Sequence, residues 1–310
     1  MMTQPRITAI LCTYDRPDYL QKCLHSLAQQ TLPADQFEVM VVDNGRFPTK
    51  TKAIVDQFPA CRYVREPQAG LSQARNVGWQ RATTDYIAYF DDDVLVDPDC
   101  LLTICQVFSE MEPLPGCVGG QVRPIWEAPR PDWLSDRLMH GLSLIDWETT
   151  PHFLPPEQWL VGCNMAFSRD LLAEVGGFPT HIGRVGTGLI SMGETAVLQK
   201  LQQLGYASYY HPAASVRHHI PASRLQKSWF VRRTFWNGVS RGLLEQEDIT
   251  NKQRWQKISR AGRQKLLSHN AWASLIGRDP GEKRLYQRCV TYGWLGYCWA
   301  MAQFNLRGEK

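Results

Sequence analysis

The stretch Tyr86-Ile-Ala-Tyr-Phe-Asp-Asp-Asp93 decides how this chain reads. An uncharged run rich in aromatic and β-branched residues suits a strand buried on both faces, and here it stops against three consecutive carboxylates. Adjacent carboxylates repel one another, so a countercharge is required nearby. The same pattern occurs twice upstream: residues 7–13 run apolar into Tyr14-Asp15, and residues 37–42 run into Asp43-Asn44-Gly45. Residues 62–64 form a short further strand.

Between these strands lie helical patterns. Asp15 and Pro17 mark a start, with Leu20, Leu24 and Leu27 on one face. Gly70-Leu71-Ser72 opens a helix to about Ala82, with Ser72 as its expected cap. Asp97-Pro98 begins another helix, and 117–122 reads as one strand. Strands alternating with helices predict an α/β fold, a mostly parallel sheet flanked by helices on both faces. Ligands bind such sheets outside the carboxyl ends of the strands, which is where Thr13-Tyr14-Asp15, Asp43-Asn44 and Asp91-Asp92-Asp93 fall.

Residues 123–156, rich in Pro and Trp, are weakly periodic and read as an irregular excursion. A strand over 159–167 follows, then a helix over 169–175 stopped by Gly176-Gly177, a loop over 183–188, a helix over 194–204, and strands over 206–210 and 215–218. Beyond Pro221 the pattern is helical and basic, near 223–244, 250–270 and 281–305. The expected division is an α/β domain over 1–221 and a basic helical region over 222–310. Residues 289–304 carry no charge, but sixteen residues fall short of the roughly 20 that span a bilayer; a core helix or interfacial anchor is expected.

The 310 residues are 44% hydrophobic and 21% charged, ordinary for a folded soluble protein. Nine cysteines occur and none forms a CxxC pair, which points to reduced thiols in a cytosolic setting rather than disulfides or zinc. No N-terminal segment has the form of a signal peptide. The net charge of +4 hides an asymmetry: residues 1–216 carry 16 Lys and Arg against 24 Asp and Glu, whereas 217–310 carry 18 against 6. A basic region of this kind suits an anionic partner such as phospholipid, or else is a solvated helical surface. Nucleic acid is not expected, because the aromatic residues of the region cluster away from much of the charge.

Several side chains carry chemistry. A hard divalent cation, shared between carboxylate and phosphate oxygens, would supply the countercharge for Asp91-Asp92-Asp93. Asp91 and Asp93, at i and i+2, are expected on one side of the chain end, with Asp92 directed elsewhere, toward a ribose. The bland alternative is a solvated acidic turn. Asp43 either accepts a hydrogen bond from a uracil imide or simply makes an Asp-Asn-Gly turn. Arg75 either holds a phosphate, anchors the aspartates, or forms a surface ion pair. Glu194, at a helix start, is a candidate general base or a dipole-stabilised N-terminal residue. His218 is a candidate metal ligand or a structural histidine. The absence of G-x-G-x-x-G after the first strand speaks against an oxidoreductase.

Taken in order, Cys-Thr-Tyr-Asp-Arg-Pro (12–17), Val-Val-Asp-Asn (41–44), Gly-Leu-Ser-Gln-Ala-Arg-Asn-Val-Gly (70–78), Tyr-Phe-Asp-Asp-Asp (89–93), Gly-Cys-Asn-Met-Ala-Phe (162–167), Gly-Gly-Phe (176–178), Gly-Glu (193–194) and Val-Arg-His-His-Ile-Pro (216–221) resemble family 2 glycosyltransferases. The resemblance covers about residues 5–240. It implies a GT-A fold, Mn2+ or Mg2+, a nucleotide-sugar donor, expected to be a UDP-sugar by the reading of Asp43, and inversion at the anomeric carbon. Thr13, Tyr14, Asp15, Asp43, Arg75 and Asp92 would bind the nucleotide. Asp93, supported by Asp91 and His218, would ligate metal, and Glu194 would be the base. Many members carry Glu-Asp at that point, whereas here Thr195 follows Glu194, so an inactive sugar-nucleotide-binding scaffold is the rival expectation. The acceptor would be a saccharide or lipid-linked, with the chain cytoplasmic and its basic region touching an anionic inner membrane face.

Overall fold

The computed structural model describes residues 6–186, 188–246, 249–263, 275 and 281–303. These form two compact units, one from 1–125, 143–181 and 193–219, the other from 126–142, 182–192 and 220–310.

In the first unit, strands β1 (Ile7–Thr13), β2 (Phe37–Asp43), β3 (Cys61–Arg65) and β4 (Tyr86–Asp91) alternate with helices α1 (Pro17–Leu27), α2 (Pro48–Val55) and α3 (Leu71–Arg81). The apolar runs become strands because both faces are covered: Ile7, Ile10, Leu11, Met40 and Ile87 are fully buried. Strands β5 (Val94–Val96), β6 (Cys117–Gly119) and β7 (Val122–Trp126), with helix α4 (Cys100–Glu110) between β5 and β6, continue the chain. After α5 (Asp136–Met139) come β8 (His152–Phe153), β9 (Asn164–Ser168), α6 (Arg169–Glu174), α7 (Gly193–Gln203), β10 (Ser208–Tyr210) and β11 (Val216–Ile220). The main sheet has the order β3-β2-β1-β4-β9-β6-β10-β8, and a second sheet the order β5-β11-β7. Strands β1 to β4 are mutually parallel, while β9 runs antiparallel between β4 and β6. The expected GT-A-like architecture, a mostly parallel mixed sheet flanked by helices, is therefore the architecture found. Gly78 lets α3 lie close on β1, since a Cβ there would stand 2.8 Å from Ile10 Cγ2.

Some local expectations need correction. Ser72 does not cap α3; it lies inside the helix, whose N-cap is Gly70 with a φ of 152°. The helix expected at Asp97-Pro98 starts at Cys100, because Asp97 is engaged elsewhere, accepting from Ser215 Oγ and Arg217 Nε. The strand expected over 117–122 is two strands, and the stretch expected to be irregular holds β7, α5 and β8. The strand expected from 159 begins only at Asn164. Gly176 and Gly177, at φ 77° and 68°, do end α6 as read. All nine cysteines are free thiols.

The second unit is built on α8 (Lys227–Glu245), α9 (Asn251–Ala261) and α10 (Glu282–Gln303); the remainder of the helical patterns expected over 250–270 and 281–305 lies outside the described residues. Helices α8 and α10 run in the same direction and meet through glycine. A Cβ on Gly238 would collide with the Gly293 carbonyl, and one on Gly296 with the Phe235 carbonyl. At Gly242 it would come within 2.9 Å of Ala300 Cβ and 3.0 Å of the Tyr297 carbonyl. Small residues at such a crossing allow backbone-to-backbone packing that larger side chains forbid. Beyond the crossing, Arg241 lies over the Trp294 and Tyr297 rings at 4.1 and 4.5 Å, and Tyr297 donates to Glu245 at 2.9 Å. Helix α9 begins in a capping box between Thr250 and Gln253, and its Ile258 packs against the buried cluster of Ala261, Tyr297 and Met301. Among the described residues no helix is long and apolar enough to cross a membrane.

Candidate active site

From β1 the chain steps outward to β2 and β3, then returns to place β4 on the other side of β1. This reversal of direction is the switch point at which open α/β sheets form their ligand crevice. Cys12 is in register with Asp91, and Thr13 with Asp43, so three of the polar clusters emerge on one edge. Past Asp91 the backbone leaves β4 in a turn and returns as β5. Strand β11 then pairs antiparallel with β5, setting His218 opposite Val94, and the His219 amide donates to the Asp93 carbonyl at 2.9 Å. The sheet pairing thereby brings a histidine from late in the chain to the acidic turn.

The turn is organised by Arg16, a residue the sequence reading did not single out. Its Nη1 donates to Asp93 Oδ2 at 2.6 Å and its Nε to Asp92 Oδ2 at 3.2 Å, while Nη2 meets Asp92 Oδ1. Thr13 Oγ1 also donates to Asp92 Oδ2, at 2.6 Å. Burial pushes the Asp92 carboxyl up to about 6; Arg16 and Thr13 pull against this, and the neighbouring Asp93 adds to it. His218 Nε2 lies 3.4 Å from Asp93 Oδ1, and both side chains are only 4% exposed. The i, i+2 expectation is thus corrected: Asp92 and Asp93 converge on Arg16, while Asp91 turns away, because strand alternation ends where the backbone enters the turn.

Asp91 faces a second cluster. Arg75, buried on α3, donates Nη2 to the Gly162 carbonyl at 2.8 Å and Nη1 to Glu194 Oε2 at 3.4 Å, with Asp91 Oδ1 at 3.5 Å from Nη2. Its guanidinium lies over the Tyr89 and Phe178 rings at 5.9 and 5.4 Å. Of the readings considered, Arg75 is an anchor for the acids and not a surface ion pair. Glu194 is the second residue of α7, where the helix N-terminus favours a negative charge. A Cβ on Gly162 would meet Arg75 Nη2 at 2.9 Å and Glu194 at 3.2 Å, so this position must stay small. Asn76 fixes the Gly-Gly-Phe segment, donating to the Phe178 carbonyl at 2.7 Å and accepting from its amide at 2.8 Å.

On the edge formed by β1, β2 and β3, Asp43 is fully buried; it accepts from the Gly45 amide at 2.9 Å and the Tyr63 hydroxyl at 2.7 Å. Asn44 donates to the Glu66 and Gln68 carbonyls and accepts from the Gly70 amide at 2.6 Å, tying β2 to the loop before α3. Asp15, at φ 56°, accepts from the Arg46 and Phe47 amides and from Arg46 Nε. Burial alone would raise its carboxyl, but these hydrogen bonds outweigh it and hold it below the usual range. The half-buried Tyr14 has the Arg46 guanidinium over its ring at 6.0 Å.

Among the described residues no three His, Cys, Asp or Glu side chains form a metal cage by themselves. The residues nonetheless fit a divalent cation of the kind that protein and substrate share. Mg2+-like ions are held by one or two carboxylates and completed by phosphate oxygens, and imidazole nitrogen with carboxylate oxygen is a donor set that first-row divalent ions accept. Asp93 Oδ1 and His218 Nε2 are such donors, 3.4 Å apart.

The switch point, the acidic turn beside it and the mixed sheet have the architecture of the GT-A fold. Residues 8–176 match the family model of glycosyl transferase family 2, and the chain belongs to that family. It is 27% identical over 247 residues to a glucosyl-dolichyl phosphate glucuronosyltransferase of Haloferax volcanii, covering 77% of each chain. It is also 27% identical over 260 residues to the succinoglycan biosynthesis protein ExoM of Rhizobium meliloti, covering 81% of this chain and 79% of the relative. Among solved structures, the mannosyltransferase PcManGT of Pyrobaculum calidifontis, in complex with GDP-Man and Mn2+, superposes with a TM-score of 0.54 over 99% of this chain and 77% of its own, at 21% identity. That likeness supports the fold.

Proposed function

We propose that this glycosyltransferase is metal-dependent and inverting, moving a sugar from a UDP-sugar to a hydroxyl of a saccharide or lipid-linked acceptor. The observation that carries the reading is the pairing of Asp93 with His218 beside an Asp92 fixed by Thr13. In this reading Asp93 and His218 would hold Mn2+ or Mg2+, while Asp91, turned toward Arg75, takes no part in holding it. The bound cation would neutralise charge developing on the departing diphosphate. Thr13 and Tyr14 line the nucleotide pocket, the buried Asp92 backs its ribose end through Thr13 and Arg16, the buried Asp43 backs its base end through Tyr63 and the Gly45 amide, and Asp15 acts by holding the 45–47 turn. Glu194 takes the acceptor proton. Its side chain keeps 24% of its surface exposed while Arg75 fixes one carboxylate oxygen, so the other can receive a proton from an incoming hydroxyl. Arg75 positions Glu194 and Asp91 and so serves the nucleotide site indirectly.

The relatives' names point to glycolipid and polysaccharide acceptors, and the structural neighbour to GDP-mannose as the rival donor. A thermal-shift panel of UDP-, GDP- and dTDP-sugars, each with and without Mn2+, tests the donor, since stabilisation grows with the logarithm of ligand over Kd. UDP-sugars should give the largest metal-dependent shift; a larger shift with GDP-mannose would sink the UDP assignment. For the base, Glu194→Gln should bind donor normally and lose about 10²–10⁴-fold in kcat. Donor binding without turnover in the unaltered protein would favour the inactive-scaffold reading.

A further inference from the structure

The second unit contains a groove that the transfer chemistry does not use. One face of α8 and one face of α10 border an open groove of about 530 Å³. Lys227, Arg232 and Arg288 line it together with Val231, Leu285 and Tyr292. Leu285, at its floor, is fully buried, while Arg232 stands exposed at its rim. Positions 285, 288 and 292 are spaced i, i+3 and i+7, so they share one side of α10.

The walls do not end at the cations. Phe235 lines the groove, and its ring sits 6.3 Å from that of Trp299, which is 45% exposed, with Leu295 37% exposed on the same helix. From Arg288 to Trp299 is eleven residues, or roughly 16 Å of helix. The surface thus has a cationic end and, along the same helix pair, an aromatic and aliphatic end. The region beyond residue 216 carries 18 basic against 6 acidic residues, a field that attracts anions.

We propose that this α8–α10 groove binds a lipid phosphate, with the phosphate on Lys227, Arg232 and Arg288 and the hydrocarbon laid along Phe235 toward Trp299. Guanidinium groups bind phosphate oxygens through paired, charge-assisted hydrogen bonds, and the apolar wall covers tail carbons that would otherwise face water. A free phosphate would leave that wall unused. The inference does not depend on the assignment of the aspartate turn, and donor binding measured separately reports on that assignment.

The test is calorimetric titration of the full chain with dihexanoyl phosphatidate below its micellar concentration, so that no bilayer is present. Saturable one-to-one binding is expected, with inorganic phosphate at least about tenfold weaker. Arg232→Glu, at an exposed site that should leave folding intact, and Arg288→Gln should each weaken the lipid by about tenfold or more. Lys252→Glu on α9 changes the same net charge outside the groove and should leave affinity within about twofold. Absence of saturable binding, equal affinity for inorganic phosphate, or an equal loss from Lys252→Glu would each overturn the proposal. The last outcome would mean that the tail attracts anions only through its overall charge.

Discussion

Arg16 and Arg75 each face two carboxylates, yet their surroundings differ. The Arg75 side chain is 4% exposed, bonded to a backbone carbonyl and covered by the rings of Tyr89 and Phe178; Arg16 keeps 32% of its side-chain surface in water and reaches Asp92 and Asp93 from outside. A buried cation among packed rings cannot leave without exposing unpaired groups. A third-exposed cation can withdraw when another countercharge arrives. The difference makes Arg75 part of the frame, whereas Arg16 is the partly exposed countercharge that holds the acidic turn together.

Three measurements sharpen or break this contrast. The largest effect is expected at the turn itself: Asp93→Asn, nearly isosteric, should lower kcat by about 10²–10³, or roughly 2.7–4 kcal/mol of barrier, with melting temperature little changed. If the variant keeps its activity, Asp93 is not the charge that matters. Next comes Arg75→Gln, expected to cost about 3 kcal/mol of stability by denaturant unfolding, because Asp91, Glu194 and the Gly162 carbonyl all lose their partner. Retained stability would show that the cluster is ornamental to folding. The smallest effect is expected from Arg16→Gln, on the order of 1 kcal/mol in metal-free buffer given its exposure. That loss should shrink when Mn2+ and UDP are added. A deficit that persists in full would mean that Arg16 remains in place throughout the reaction.

Much of the frame was legible because buried parallel strands write themselves as largely apolar runs, as residues 7–12, 39–42 and 86–90 do before their polar ends. The location of the crevice followed, since the carboxyl ends of those strands are where their polar residues stop them. What the sequence hid was partnership. Val216 pairs with Val96 across 120 positions, and a three-residue strand offers no periodicity to announce it. Arg75 meets Glu194 across 119 positions, and nothing local to either names the other. Arg16 was passed over because a cation beside an Asp-Arg-Pro helix start reads as surface decoration until Asp92 and Asp93 are seen to turn toward it. The short strands and helix within 122–153 were missed because each is too brief to show a pattern.

The glycine crossing of α8 and α10 has a consequence of another kind. Because main-chain atoms touch there, the spacing of the two rods is set by the polypeptide itself and not by side-chain bulk. A substitution of an outward-facing residue along the cleft therefore changes its chemistry without changing the distance between its walls.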